Sequence, residues 1–177
     1  MKEKGFTLVE LLGVIVILSL VMLIAIPNIT STLERSKKEQ YLTDATKFVT
    51  LVEYNLKNGS IDKPGSNELY KITLGCLNTN DIDKDAENIK YELDDSYVIV
   101  GRKDGYLVYY VNLVVIKNNK YKGILLEDSE KLDKDSAAQD GINRYNLVKS
   151  NLTLLNDAEI KQKINVSGVS IIEKCGN

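Results

Sequence analysis

Lys4-Gly5-Phe6-Thr7-Leu8-Val9-Glu10-Leu11-Leu12 opens a run that carries no charge from Leu11 to Leu33 and meets its first proline at Pro27. Seventeen of the 22 residues from Phe6 to Pro27 are hydrophobic, against 59 of the 150 that follow. As a helix rising about 1.5 Å per residue, Phe6 to Ile26 covers roughly 30 Å, the thickness of a bilayer core. The cations ahead of it are Lys2, Lys4 and the amino terminus. The positive-inside rule then places this end in the cytoplasm and the rest of the chain outside.

Two ordinary explanations of such a run each leave something unaccounted for. A secretory signal has a shorter apolar core, of about 7–15 residues, and ends in a small-residue cleavage site that this run lacks. A plain membrane anchor leaves Glu10 unexplained, because a carboxylate inside the bilayer costs roughly 2.5–3.5 kcal/mol even on the lenient insertion scale. A charge in that place calls for a partner.

The basic leader, the glycine, the phenylalanine, the glutamate four residues later and the long apolar helix together resemble the amino terminus of type IV pilin-like prepilins. The resemblance covers residues 4–27. It implies a leader of residues 1–5, removed by a prepilin peptidase that cuts after Gly5 and N-methylates Phe6. It implies a transmembrane and assembly half of the stem helix over 6–27, and an extracytoplasmic head over 28–177 that includes the amphipathic half. A new amine at Phe6 would be a cation in apolar surroundings, and Glu10 of a neighbouring subunit would neutralise it, so that the pair sets the register of stacking. Pro27 removes a backbone hydrogen bond and is expected to kink or locally melt the helix. Gly13 and Ser19 are small enough to ease helix–helix approach.

Beyond Pro27 the apolar positions thin to Ile29, Leu33, Tyr41, Leu42, Ala45, Phe48, Val49, Val52 and Leu56. From Tyr41 their spacing of three and four predicts one buried helical face, stopped at Asn58-Gly59. Residues 60–96 read as polar and turn-rich. Three strand-like runs follow, Tyr97–Arg102, Tyr106–Ile116 and Tyr121–Leu126, separated by Lys103-Asp104-Gly105 and Lys117-Asn118-Asn119-Lys120, which suit hairpins. The middle run is apolar on both faces, one to be covered by the helix and the other by a loop or a neighbour. Asn156-Asp157-Ala158-Glu159 offers a capping box for a short helix to about Ile164, and Val169–Glu173 a further strand. Residues 140–155 are open between helix and loop. The expected fold is α+β: a long amino-terminal helix packed on an antiparallel sheet, the order of the pilin-like fold.

Composition restricts the chemistry. The 177 residues carry 23 basic and 25 acidic side chains, a formal charge of −2, and no histidine. Histidine-based acid–base catalysis and histidine metal ligands are excluded, and near-neutral charge argues against a dedicated nucleic-acid binder. Cys76 and Cys175 fall in the part placed outside the membrane, where they either form a disulfide closing a loop of about 100 residues or remain two buried thiols. Many pilins close a shorter carboxy-terminal loop, so the longer bridge would depart from the family. Asp81, Asp83, Asp85 and Glu92 follow the ligand spacing of a calcium loop, but Ala86 stands where the turn wants glycine, and a solvated acidic loop is the favoured reading.

Weaker patterns complete the inventory. Ser60-Ile61-Asp62-Lys63 matches an S-x-x-K pattern without its companion motifs. Lys117, Lys120, Tyr121 and Lys122 make a small basic–aromatic tip. Sequons begin at Asn28, Asn58, Asn151 and Asn165, as expected by chance in an asparagine-rich chain.

The expectation is therefore a structural subunit of a type IV pilus or pilin-like filament, with no catalytic residue and no cofactor. Its partners would be other pilin subunits, the prepilin peptidase, the assembly machinery and, before assembly, membrane lipid. Its location would change from single-pass precursor in the cytoplasmic membrane to cell-surface filament. The alternatives are a pseudopilin of type II secretion or a competence filament and, in another class, a permanently anchored extracellular binding domain.

Overall fold

The computed structural model describes residues 6–77, 80–126 and 147–175, without the side chains at 24, 25, 27 and 28. Two compact units divide the chain, Met1–Ser36 and Lys37–Asn177. One helix, α1 (Leu8–Lys57), contributes to both.

In the first unit α1 exposes its apolar side chains all round, from Leu8 at 82% through Leu18 at 52% to Leu33 at 54%. Polar side chains inside this stretch are silenced locally. The Ser19 hydroxyl donates to the Ile15 carbonyl at 2.8 Å and the Thr30 hydroxyl to the Ile26 carbonyl at 3.3 Å. A hydroxyl bonded to the turn before it costs little in an apolar setting. The helix continues through residue 27, so Pro27 deletes one rung of the ladder without ending it. Among the described residues no helix is long and apolar enough to cross a membrane. Four positions of the apolar run, 24, 25, 27 and 28, have no described side chains.

In the second unit the remaining turns of α1 bury Tyr41, Leu42, Ala45, Phe48, Val52 and Leu56, and Val49 is half-buried. The helix ends where Gly59 takes φ +82°, a conformation that glycine adopts without a Cβ penalty. Six strands form one sheet: β1 (Glu68–Thr73), β2 (Tyr97–Lys103), β3 (Tyr106–Lys117), β4 (Lys120–Ile124), β5 (Lys149–Leu152) and β6 (Ser170–Glu173), in the order β5-β4-β3-β2-β1-β6. The β2–β3 turn places Asp104 and Gly105 at positive φ, and the β3–β4 turn does the same with Asn118 and Asn119. Positive φ at both central residues matches the twist of the flanking strands, which explains two-residue hairpins at these points.

Alternation divides the sheet into two faces. Ile72, Val98, Val100, Val111, Leu113 and Val115 join the helix residues in the larger core. Leu69, Tyr97 and Ile99 face the other way and pack with Leu126, Ile160 and Ile164. The second cover is thus α2 (Asp157–Lys163), with Asn156 capping it: its side chain accepts from the Ala158 and Glu159 amides, while Glu159 reaches back to the Asn156 amide.

Three expectations need correction. Residues 60–96 are not all turn, because β1 lies within them, followed by a short 3-10 turn at Leu74–Leu77. The sheet is not wholly antiparallel: β6 runs parallel to β1, with Leu69 opposite Ile171 and Tyr70 opposite Ile172. The segment left open at 140–155 contains β5, an edge strand paired with β4; its first residues, 140–146, lie outside the described residues.

Candidate functional site

Glu10 is the acidic residue of the first turn of α1. Thr7 precedes the first helical residue, and the helix start leaves amide donors without intrahelical acceptors. The Glu10 carboxylate folds back to supply one. Its Oε2 accepts the Thr7 N–H at 2.9 Å and the Thr7 hydroxyl at 2.7 Å, and the Glu10 N–H in turn donates to the Thr7 hydroxyl oxygen at 3.3 Å. This is a capping box, threonine at the N-cap and glutamate three residues on. Both bonds fall on one carboxylate oxygen, and among the described residues Oε1 accepts none. Thr7–Glu10 carries the same T/S/N-x-x-E signal as Asn156–Glu159, so this cap too is legible in the sequence. Phe6, adjoining the cap, is 83% exposed; Gly5 lies outside the described residues.

Cys76 and Cys175 form a disulfide with Cα atoms 4.9 Å apart, closing a separation of 99 residues. It ties the turn after β1 to the residues after β6, next to the only parallel pairing of the sheet among the described strands. Two contacts act at the same edge: the Lys71–Glu173 ion pair at 3.1 Å and the Lys174 N–H on the Lys71 carbonyl at 3.0 Å.

The carboxylates of the acidic loop differ in exposure. Asp81 and Asp83 are exposed, whereas Asp85 is buried and spent. One Asp85 oxygen accepts the Glu87 and Ile89 amides, both at 2.9 Å, and the other accepts the Tyr41 hydroxyl at 2.8 Å. Among the described residues no group of three or more potential ligands could hold a metal ion. Spacing alone suggested convergence; the tyrosine on α1 turns Asp85 away from its neighbours.

The basic tip is likewise turned inward. Lys117, Lys122 and Lys37 approach Glu87 at 2.6, 3.0 and 3.2 Å, and Tyr121 donates to Asp95 at 2.7 Å. Hydrogen bonds from Lys117 and then Lys122 hold the Glu87 carboxyl down to about 2. Among the described residues Lys120 is exposed and makes no ion pair. Ser60 and Lys63 are both exposed, with no partner that would activate a nucleophile among the described residues. An open groove of about 790 Å³ along α1 is lined by Thr43, Thr46, Thr50, Leu51, Tyr54 and Ile82, with Lys47 and Asp81 at its polar margin. Its three threonine hydroxyls donate to carbonyls of their own helix.

Residues 1–26 match the family model described as the prokaryotic N-terminal methylation motif. Over 79 residues the chain is 38% identical to the type IV wide pilus major component PilA4 of Thermus thermophilus, a stretch comprising 43% of this chain and 56% of that protein. The chain thus spans about half the length of the curated relative it matches. No solved structure matches it significantly.

Proposed function

We propose that this chain is a structural subunit of a type IV pilus, cut after Gly5, N-methylated at Phe6 and assembled through its apolar helix. The observation that carries the proposal is a single charged side chain, Glu10, on a stretch of helix from Leu8 to Leu33 whose described apolar side chains are exposed. Such a surface must be covered, first by lipid and then by identical helices, and neighbouring stems can replace lipid contacts one for one. The methylation motif at 1–26 and the resemblance to a pilus component support the same reading.

Glu10 then has two duties that use different oxygens. Oε2 caps its own helix through Thr7, and Oε1 remains to accept the amine that cleavage creates at Phe6 of a neighbour. Pairing the two charges offsets part of the cost of burying each. Residues 1–5 act as the leader, 6–27 as the membrane and assembly half of the stem, and 28–177 as the extracytoplasmic head. The chain carries no catalytic group of its own in this scheme; prepilin peptidase and the assembly machinery perform the chemistry and supply the work.

The decisive experiment pairs mass spectrometry of the mature amino terminus with counts of surface filaments. An N-methylated Phe6 start and loss of filaments in Glu10→Val, with processing unchanged, are expected. An intact Met1 in the mature protein would instead mark a permanent anchor. Normal filament numbers in Glu10→Val would remove the charge-pairing role.

A further inference from the structure

We propose that Asn58 is a site of spontaneous deamidation, giving aspartate or isoaspartate at the end of α1. The proposal is independent of filament assembly. It rests on the Asn58-Gly59-Ser60 turn, all three residues of which are exposed. The Ser60 N–H donates to Asn58 Oδ1 at 2.9 Å, an Asx turn that folds the carboxamide back over the following peptide. The Gly59 N–H has no acceptor among the described residues. Gly59 has φ +82°, and a Cβ placed on it would meet nothing within 4 Å beyond its chain neighbours, so no other part of the fold crowds the turn.

The reaction follows from these groups. The Gly59 nitrogen attacks Asn58 Cγ and forms the N–Cγ bond, giving up its proton. The Cγ–Nδ2 bond breaks and the side-chain nitrogen leaves as ammonia with that proton. Charge building on Oδ1 during the attack falls on an oxygen already holding the Ser60 N–H, the arrangement that stabilises an oxyanion. Water then opens the five-membered imide at either carbonyl, yielding aspartate or isoaspartate.

Five other asparagines, Asn88, Asn118, Asn119, Asn151 and Asn165, are exposed with positive φ. Each is followed by a residue with a side chain (Ile89, Asn119, Lys120, Leu152 and Val166) that obstructs ring closure. They are internal controls of matched exposure. The product differs in consequence as well as in charge. A carboxylate at position 58 sits at the negative end of the helix macrodipole. Isoaspartate adds a methylene to the main chain between the helix and the Ile61 N–H, which now bonds the Asn55 carbonyl at 3.1 Å.

The test incubates the purified full chain in mildly alkaline buffer prepared with heavy-oxygen water, followed by peptide mass spectrometry after cleavage at Lys57. The acid form at position 58, carrying one heavy oxygen, is expected to accumulate at least about tenfold faster than at Asn118, Asn151 or Asn165, because only Gly59 lacks a Cβ. The rate should rise with pH, and Asn58→Gln should leave the peptide mass unchanged. Conversion at Asn58 no faster than at the three controls would overturn the proposal. So would a glycan found on Asn58, since it occupies the departing nitrogen.

Discussion

The Tyr41 hydroxyl donates to the Asp85 carboxylate at 2.8 Å, and the exchange is returned when Tyr91, from the same loop, donates to Asp44 of the helix at 3.1 Å. The two rings meet edge to face with centroids 5.7 Å apart. All four side chains are buried. The loop before β2 is therefore fastened to α1 by a reciprocal pair of tyrosine–carboxylate bonds, and burial together with the facing carboxylates pushes both phenols up.

Tyr41→Phe is the sharpest probe of this fastening. It keeps the ring and strips the donor, leaving a buried carboxylate oxygen without its partner. The expected cost is about 1–3 kcal/mol, read as a shift in the urea midpoint at constant slope. Asp85→Ala should cost more, because the Glu87 and Ile89 amides lose their acceptor as well. A Tyr41→Phe protein as stable as the parent would mean that the bond contributes nothing net.

Acid should act through Glu87. Its carboxyl ordinarily titrates at 4.5 and is held down to about 2 in the folded chain by Lys117, Lys122 and Lys37. A depressed acid contributes stability that is present above its unfolded value and lost as pH falls through the folded one. Glu87→Gln should thus be less stable than the parent at neutral pH, and the gap should close between about pH 4.5 and 2. Denaturant midpoints across that range give the answer; a gap that does not narrow would exclude Glu87 as its source.

Removing the disulfide should release the sheet from its parallel edge inward. The double change Cys76→Ser, Cys175→Ser is expected to lower stability by at most about 4.7 kcal/mol, the chain-entropy limit for a loop of about 100 residues. Hydrogen exchange should quicken first in β6 and β1, while β2 to β4 keep their protection. Uniform exchange across all strands would show that the bridge acts only on the unfolded chain.

Gly123 tests the closeness of β3 and β4. It has φ +154°, and a Cβ there would fall on the Leu113 carbonyl oxygen. Gly123→Ala should cost at least about 2 kcal/mol from strain and overpacking. Gly13→Ala, where a Cβ meets nothing within 4 Å, should cost none and gain helix propensity. Thermal melts of the two variants side by side provide the comparison.

What was legible in the chain was whatever neighbours along it decide. The apolar run to Leu33, the helix stop at Gly59, the left-handed turns at Asp104-Gly105 and Asn118-Asn119, and the Asn156–Glu159 cap each depend on residues within a few positions. β1 is not legible because it turns apolar side chains to both faces, Leu69 one way and Tyr70 and Ile72 the other, with Glu68 ahead of them and Lys71 between Tyr70 and Ile72. Its pattern is neither alternating nor continuous.

The sequence by itself determined the stem and the motif at its start, since hydrophobic run length, caps and breakers are written in adjacent residues. Tertiary structure alone decided that β6 joins β1 in parallel, that Asp85 accepts the Tyr41 hydroxyl, and that three lysines are spent on Glu87. Each of those outcomes joins residues between 30 and 102 positions apart. At such separations many partners satisfy the same local pattern, and only the packing of the whole sheet selects one.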